Sequence, residues 1–219
     1  MARCFACNLL RTHVISAGYD PEPAVSHDTV IHRIVRPAVR VAARSGVSPN
    51  QITTVRLLSG MVAATCFANG TALWLSIGGA VFVLSMLLDR ADGELARQTG
   101  QMSKAGHRYD LAADCLASMA AFIGLGVGLA GAHGVLAIWL GVAAGVGIGT
   151  LFAELNVLNV ASVRGYTLAP GIVVDPDDAM VLMPVLIWLG CAWPTTIAAA
   201  IITPSAAIAL ALLGLRRRH

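Results

Sequence analysis

Four aspartates in two pairs carry the clearest chemistry in the sequence. Asp89 and Asp92 are three residues apart, and Asp110 and Asp114 are four residues apart. On helices both spacings place the two side chains of a pair on one face, so the pairs can meet across a helix hairpin. Four converging carboxylates repel one another, and a hard divalent cation with oxygen ligands is their natural counter-charge. The spacing therefore predicts a divalent-metal site.

A purely structural role for these acids is the alternative. They could cap helix ends or pair with Arg90, Arg97 and Arg108, which lie close to them in the sequence. Surface capping gives no reason for two spaced pairs of acids beside apolar segments, where ionisable residues are costly. The metal site is the favoured interpretation.

The aspartates also belong to a longer pattern, D-x2-D-G-x2-A-R-x8-G-x3-D-x3-D, which runs from Asp89 to Asp114 with all eight fixed positions occupied. This pattern resembles the signature of the CDP-alcohol phosphotransferase family. A chance match at a given start is on the order of 10⁻¹⁰ if each position is taken at about one in twenty. Residues Pro49–Thr53, PNQIT, are similar to the P-N-x-[IL]-T element before the family's first span. The resemblance covers about residues 30–215.

The resemblance implies a reaction and a set of site residues. Members of the family use magnesium or manganese to bind a CDP-linked alcohol, transfer its substituted phosphate to an acceptor hydroxyl and release CMP. By this resemblance Asp89, Asp92 and Asp110 bind metal, while Asp114 shares a second ion and acts as the general base. The resemblance also implies a homodimer and CDP contacts from Asn50, Thr53, Asp92, Gly93, Ala96 and Arg97.

The motif leaves the donor and the acceptor open. CDP-diacylglycerol is the expected donor, which makes the reaction a phosphatidyl transfer in phospholipid biosynthesis; a CDP-linked headgroup such as CDP-inositol, CDP-choline or CDP-ethanolamine is the alternative. Inositol phosphate, glycerol phosphate, serine, inositol and an amino alcohol all remain as acceptors. An unpaired acid at membrane depth costs roughly 2.5 to 3.5 kcal/mol, and basic groups suit a phosphorylated acceptor. The candidate acceptor contacts are Lys104, Arg108, Glu154, Asn156 and Arg164.

The composition indicates which class of protein holds these residues in place. The chain has 219 residues, of which 57% are hydrophobic and 12% charged, and its mean hydropathy is +0.73. A soluble domain of this size cannot bury so much apolar surface in one core. The composition therefore predicts an integral membrane protein. It excludes extended nucleic-acid binding, intrinsic disorder and a disulfide framework, and a net charge of +3 does not imply a polyanionic partner.

Apolar segments after residue 50 predict an all-α fold with six transmembrane helices. Each segment is near the ~20 residues needed to span a bilayer, although the fifth is shorter. The turns between the first and second, third and fourth, and fifth and sixth segments contain no Lys or Arg, so all fifteen basic residues fall on the other side. The positive-inside rule then predicts a multi-pass protein of the cell membrane, with both termini and the active site facing the cytoplasm. The segments are 52–69, 72–88, 111–131, 134–153, 179–191 and 195–215.

A basic amphipathic segment precedes the first predicted span. Residues 28–45 alternate apolar side chains with four arginines, which is typical of a helix in the lipid headgroup plane, although a solvated linker is the alternative. The predicted organisation is an N-terminal tail (1–27), an interfacial helix (28–47), a six-helix domain (48–215) and a basic tail (216–219). Cys4 and Cys7 form one CxxC, which supplies too few ligands for a zinc site, and their role stays open.

Two other functions use similar residues. Intramembrane prenyltransferases also place acidic clusters on helices, but the glycine, alanine and arginine offsets of the motif favour the CDP-alcohol interpretation. A cation transporter could use the four aspartates as its ion site. Transporters place coupling acids near the bilayer midplane in repeated halves, whereas these acids lie at one boundary of the predicted spans and no repeat is visible.

Overall fold

A computed structural model of the protein describes residues 30–157, 166–169, 172–174 and 180–216. The described residues form helices and one short pair of strands. Five of the helices, α2, α3, α4, α5 and α7, are long and apolar enough to cross a membrane, which confirms the helical, multi-pass architecture. The elements are α1 (Val30–Arg44), α2 (Pro49–Asn69), α3 (Ala72–Thr99), α4 (Lys104–His133), α5 (Val135–Val157), β1 (Tyr166–Ala169), β2 (Ile172–Val174), α6 (Leu182–Trp188) and α7 (Ala192–Arg216).

The segment predicted as the fifth span is much shorter as a helix. Within residues 179–191, α6 has seven residues, which at 1.5 Å per residue is about 10 Å against a hydrocarbon core of about 30 Å. It ends just before Gly190, whose φ of 78° lies in the left-handed region that glycine adopts readily. The predicted count of six spans is therefore not confirmed, because five of the described helices reach spanning length.

Strands β1 and β2 form a small antiparallel hairpin between α5 and α6. Tyr166 pairs with Val174 and Ala169 pairs with Ile172, with a register irregularity between Thr167 and Ala169. These strands differ from the all-α prediction, although Ile172–Val174 is a β-branched run of the kind enriched in strands. The hairpin is a local addition to a helical protein.

The start of α2 follows from local hydrogen bonds in the PNQIT element. The Ser48 side chain accepts a hydrogen bond from the Gln51 backbone N–H (3.3 Å), and the Gln51 side chain accepts one from the Ser48 N–H (2.9 Å). This capping box satisfies two backbone donors at the helix start, and Pro49 is tolerated there because it has no N–H to pair. The cap fixes where Asn50 and Thr53 begin the helix.

Helices α3 and α4 form the hairpin that carries the aspartates. Helix α3 continues past the predicted end of the span at residue 88 and ends at Gly100, which has φ 67°. Helix α4 begins after Ser103, whose hydroxyl accepts a hydrogen bond from the Gly106 N–H (3.0 Å). Because only residues 100–103 separate the two helices, the two halves of the motif face each other.

The core is built from small residues that let helices approach closely. A Cβ added at Gly60 of α2 would lie 2.6 Å from the Ala117 Cβ of α4, and one added at Gly124 of α4 would overlap the Ala64 carbonyl of α2. Such small-residue contacts are the usual basis of helix packing in membranes. They bring α2 against the hairpin of α3 and α4. The buried apolar cluster includes Ala63, Phe67, Phe82, Ala121, Phe122 and Leu125.

The predicted amphipathic segment is helical but rests on the protein. Helix α1 buries Val35 and Val39 against Ala91 and Leu95 of α3, close to the motif. Its place at a membrane interface is not confirmed by this packing. Residues 1–27, with Cys4 and Cys7, and most of the C-terminal tail at 216–219 lie outside the described residues.

Candidate functional site

The structure brings the four predicted aspartates together. Asp89 and Asp92 come from α3, and Asp110 and Asp114 come from α4. Carboxylate oxygens of Asp89, Asp92 and Asp110 lie within 4.8 Å of one another. Asp92 is buried, with 3% of its surface exposed, while the others are partly exposed. Three oxygen donors at this spacing, one of them shielded from water, are the ligand type that Mg²⁺ and Mn²⁺ prefer.

Arg56 of α2 lies at the centre of this cluster. Its Nη1 is 2.8 Å from an Asp89 oxygen, 2.5 Å from an Asp110 oxygen and 3.9 Å from an Asp92 oxygen. Its Nη2 pairs with Asp114. One guanidinium leaves four ionised carboxylates with a large excess of negative charge, which divalent cations would compensate.

Arg56 is not predicted as a site residue from the sequence, where it counts only among the basic residues that orient the protein. A signal for it exists in the sequence. Arg56 is a single cation inside the first apolar run, and ionisable residues within spans face the protein interior and pair with other charges. Only 1% of its surface is exposed, as that rule predicts.

Residues of the PNQIT element line the cluster from α2. Thr53 is buried, and its hydroxyl donates a hydrogen bond to Asp92 Oδ2 (2.6 Å). The Asn50 amide oxygen lies 3.2 Å from where a Cβ on Gly106 would be, so the fixed glycine of the motif makes room for Asn50 at the start of α4. The Thr53 hydroxyl thus orients a carboxylate, and its predicted contact with cytidine stays a prediction.

In the middle of the motif, Arg97 is exposed and Gly93 and Ala96 are partly exposed. Arg97 donates a hydrogen bond to Glu94 (3.0 Å), and Glu94 also pairs with Arg36 of α1 (3.8 Å). A Cβ at Gly93 would meet the Arg97 guanidinium only at an ordinary contact distance of 3.6 Å. Packing among the described residues therefore does not require glycine at position 93, and Ala96 is also partly accessible.

The candidate acceptor residues fall in different places. Lys104 and Arg108 are exposed at the start of α4. Glu154 lies near the end of α5, and its Oε2 is buried without a hydrogen-bond partner among the described residues. The side chain of Asn156 and all of Arg164 lie outside the described part of the chain. Lys104, Arg108 and Glu154 are thus the three candidates whose side chains the structure describes.

A cavity adjoins the aspartates between α3, α4 and α5. Asp89 and Asp114 form part of its polar wall, and most of the remaining wall is apolar. A molecule bound there would have a charged group against the carboxylates and an apolar part beside it. The lining residues are Phe82, Met86, Leu87, Asp89, Arg90, Asp114, Ser118, Phe152, Met180 and Val181.

Two curated proteins are similar to part of the chain. An archaetidylinositol phosphate synthase from Pyrococcus horikoshii is 29% identical over 99 residues, covering 44% of this chain and 51% of that protein. A phosphatidylinositol phosphate synthase from Mycolicibacterium smegmatis is 31% identical over 94 residues, covering 42% of this chain and 41% of that protein. The matches thus span about half the length of these relatives or less.

Solved structures share the fold over most of the chain. The Mycobacterium tuberculosis phosphatidylinositol phosphate synthase with CDP-DAG bound has a TM-score of 0.64 at 19% identity, covering 84% of this chain and 92% of that chain. The same enzyme in complex with manganese and citrate has a TM-score of 0.62 at 18% identity, covering 82% and 86%. At this identity the likeness establishes the fold.

The family follows from a match to most of the sequence. Residues 46–213 match the family described as CDP-alcohol phosphatidyltransferase. This range includes the capped start of α2, both halves of the aspartate motif and the helices that hold them. The resemblance noted from the motif is thereby confirmed, and the chain belongs to the CDP-alcohol phosphatidyltransferase family.

Proposed function

We propose that the protein is a metal-dependent membrane transferase that moves the substituted phosphate of a CDP-alcohol to an acceptor hydroxyl and releases CMP. The observation that carries this proposal is the convergence of the four motif aspartates, three of them with oxygens within 4.8 Å, in a member of this family. Hard oxygen ligands in this number suit one or two Mg²⁺ or Mn²⁺ ions.

The aspartates divide the work between binding and proton transfer. Asp89, Asp92 and Asp110 hold metal, and Asp114 shares a second ion and serves as the general base. Bound metal neutralises the diphosphate and stabilises the charge that develops on attack. Thr53 supports this arrangement because its hydrogen bond holds Asp92 in one orientation.

The transfer is a single displacement at the phosphorus that bears the alcohol. The acceptor oxygen forms a bond to this phosphorus as the bond to the bridging oxygen breaks, and CMP leaves with the electron pair. The acceptor proton goes to a carboxylate oxygen of Asp114. No protein nucleophile is needed, and the Cys115 thiol faces Met119 (3.6 Å) rather than the aspartates.

The nucleotide lies along the exposed part of the motif. Arg97 contacts phosphate, which its exposure allows, and Asn50 and Thr53 close the cytidine side. Gly93 and Ala96 let the nucleotide approach the backbone of α3, since packing within the chain does not by itself explain glycine at position 93.

The donor is CDP-diacylglycerol, so the transferred group is phosphatidyl. The apolar wall of the cavity beside Asp89 and Asp114 supports a lipid-linked donor, because an acyl chain suits an apolar wall better than a polar headgroup does. A CDP-linked headgroup is the alternative donor.

The acceptor is inositol phosphate. The two curated relatives are named as synthases of inositol phosphate lipids, and transfer of a phosphatidyl group to inositol phosphate yields a product of that class. Exposed Lys104 and Arg108 beside the site suit an anionic acceptor, with Glu154, Asn156 and Arg164 as further candidates.

Residues 180–191, which are too short as a helix to span the hydrocarbon core alone, contribute to a sixth crossing in the proposed membrane arrangement. Met180 and Val181 line the cavity at Asp89, whereas Trp188 donates a hydrogen bond to the Ser76 carbonyl (3.1 Å) near the opposite end of α3. This segment therefore runs along α3 from the aspartate end toward the other.

Three further features belong to the proposed arrangement. Helix α1 lies in the membrane interface, the active site faces the cytoplasm, and the protein is a homodimer.

A CMP-release assay tests the function. Purified protein is supplied with Mg²⁺ and either CDP-diacylglycerol or CDP-inositol, and each donor is combined with inositol phosphate, glycerol phosphate, serine, inositol or ethanolamine. We expect CMP release with CDP-diacylglycerol and inositol phosphate above all other pairs. Absence of CMP with every pair, together with Mg²⁺ flux into vesicles, would instead support the transporter.

A further inference from the structure

Arg56 occupies the place of a counter-ion in the aspartate cluster. Its guanidinium contacts the three aspartates whose oxygens are grouped within 4.8 Å, and its other nitrogen pairs with Asp114. These are the same carboxylates that the proposed function assigns to metal. A guanidinium stays charged in proteins, so the cluster always contains this positive charge.

Hydrogen bonding and burial hold Arg56 in position. The Ser85 hydroxyl of α3 donates a hydrogen bond to the Arg56 carbonyl (2.9 Å), and the residue is almost fully buried. One turn further on, Gly60 packs against Ala117 of α4. The backbone of Arg56 is thus held between the two helices that supply the aspartates.

We infer that Arg56 is a positioning residue that holds the aspartate cluster together in the absence of divalent metal and competes with the metal for the same carboxylates. This inference rests on the proposed function, because it concerns the same site. Without Arg56 the four carboxylates lose the buried positive charge that contacts all of them, which destabilises the metal-free protein. The same loss makes the cluster more negative and strengthens its attraction for a divalent cation.

Loss of Arg56 should lower the stability of the metal-free protein and raise its affinity for a divalent cation. Both quantities are measured without substrate. In Arg56→Gln we expect the melting temperature of metal-free protein in detergent to fall by about 6 to 20 °C, from the loss of one partner of a buried ion-pair network. Titration with Mn²⁺, followed by the electron paramagnetic resonance signal of the free ion, should show binding tighter by roughly tenfold or more. Saturating Mn²⁺ should restore most of the lost melting temperature.

Arg40→Gln is the matched control, since Arg40 is exposed on α1. It removes the same charge from the chain and should change neither Mn²⁺ affinity nor melting temperature measurably, whereas Arg56→Lys should keep the Mn²⁺ affinity close to that of wild type. A residue with a merely structural role would not tighten metal binding when removed. Equal or weaker Mn²⁺ binding in Arg56→Gln therefore overturns the inference.

Poor folding of the variant is also informative. Arg56→Gln should be purified in Mn²⁺, because the inference says that metal replaces the guanidinium as counter-charge. Protein that folds only with Mn²⁺ supports the inference, and protein that stays unfolded in saturating Mn²⁺ contradicts it. Wild-type protein that binds no Mn²⁺ would instead contradict the proposed metal site, so the two failures are distinguishable.

Discussion

At the scale of single residues, Thr53 determines how Asp92 is presented. Its buried hydroxyl donates the 2.6 Å hydrogen bond to the carboxylate, and hydrogen bonds to charged groups contribute about 1.5 to 3 kcal/mol. We expect Thr53→Val to lower kcat/KM for CMP release roughly tenfold or more. Thr65→Val, on an exposed position of the same helix, should stay at the wild-type rate. Equal rates for the two variants would show that the hydrogen bond does not matter.

Asp114 and Cys115 are neighbours with different expected effects. Asp114 belongs to the cluster, whereas the Cys115 thiol points toward Met119 and the Gly149 carbonyl of α5. Asp114→Asn should lower turnover by about 10² to 10⁴, the range for a lost general base, and Cys115→Ala should remain active. Single-turnover kinetics with labelled donor measure this. A labelled covalent enzyme trapped without acceptor would exclude direct displacement.

The sequence predicted the acidic part of the site better than its basic centre. Spacing alone placed Asp89, Asp92, Asp110 and Asp114 on two helix faces, and a short loop was enough to make them meet. Arg56 lies 33 residues before Asp89, so its contact depends on how closely α2 packs on the hairpin. That distance is set by small residues in three dimensions, which periodicity does not reveal.

At the scale of helices, Gly60 controls the approach of α2 to α4. A Cβ at this position would lie 2.6 Å from the Ala117 Cβ, and neither atom can move without the backbone. We expect Gly60→Ala to cost about 1 to 3 kcal/mol of folding free energy, which is a melting temperature lower by roughly 2 to 12 °C.

Gly131→Ala is the control for this prediction. It lies on α4 with nothing within 4 Å of the added Cβ, and alanine favours a helix over glycine by up to about 1 kcal/mol. Its melting temperature should be unchanged or higher. Equal destabilisation by the two substitutions would mean that the contact between α2 and α4 does not depend on glycine at position 60.

Element boundaries show where sequence patterns fail. Hydropathy ended the second apolar span at residue 88 because polar motif residues follow, and α3 continues to Thr99, as the placement of Asp89 and Asp92 on one helix face requires, with polar side chains facing α2, α4 and α1. Hydropathy also predicted a span over 179–191, where α6 is short and ends before Gly190. Burial of polar groups lets α3 extend beyond its apolar part, and the turn at Gly190 limits the length of α6.

At the scale of the whole molecule, the position of the aspartate end relative to the membrane is testable. The charge distribution predicts that the loop at residues 100–103 is cytoplasmic and that the start of α5 is on the opposite side. In a background without Cys4, Cys7 and Cys191, Gln101→Cys should react with an impermeant thiol reagent only in inside-out vesicles. Ala132→Cys should react only in intact cells. The reverse pattern would invert the proposed orientation.

The central claim is that the aspartate cluster performs metal-dependent transfer from a CDP-alcohol. The most direct measurement is CMP release by purified protein with and without Mg²⁺, compared with Asp92→Asn, whose folding is checked by its melting temperature. We predict release only with metal, and a turnover lower by at least about 10² in folded Asp92→Asn, because one ligand of the ion is removed. Metal-independent release, or near wild-type turnover by Asp92→Asn, would contradict the account.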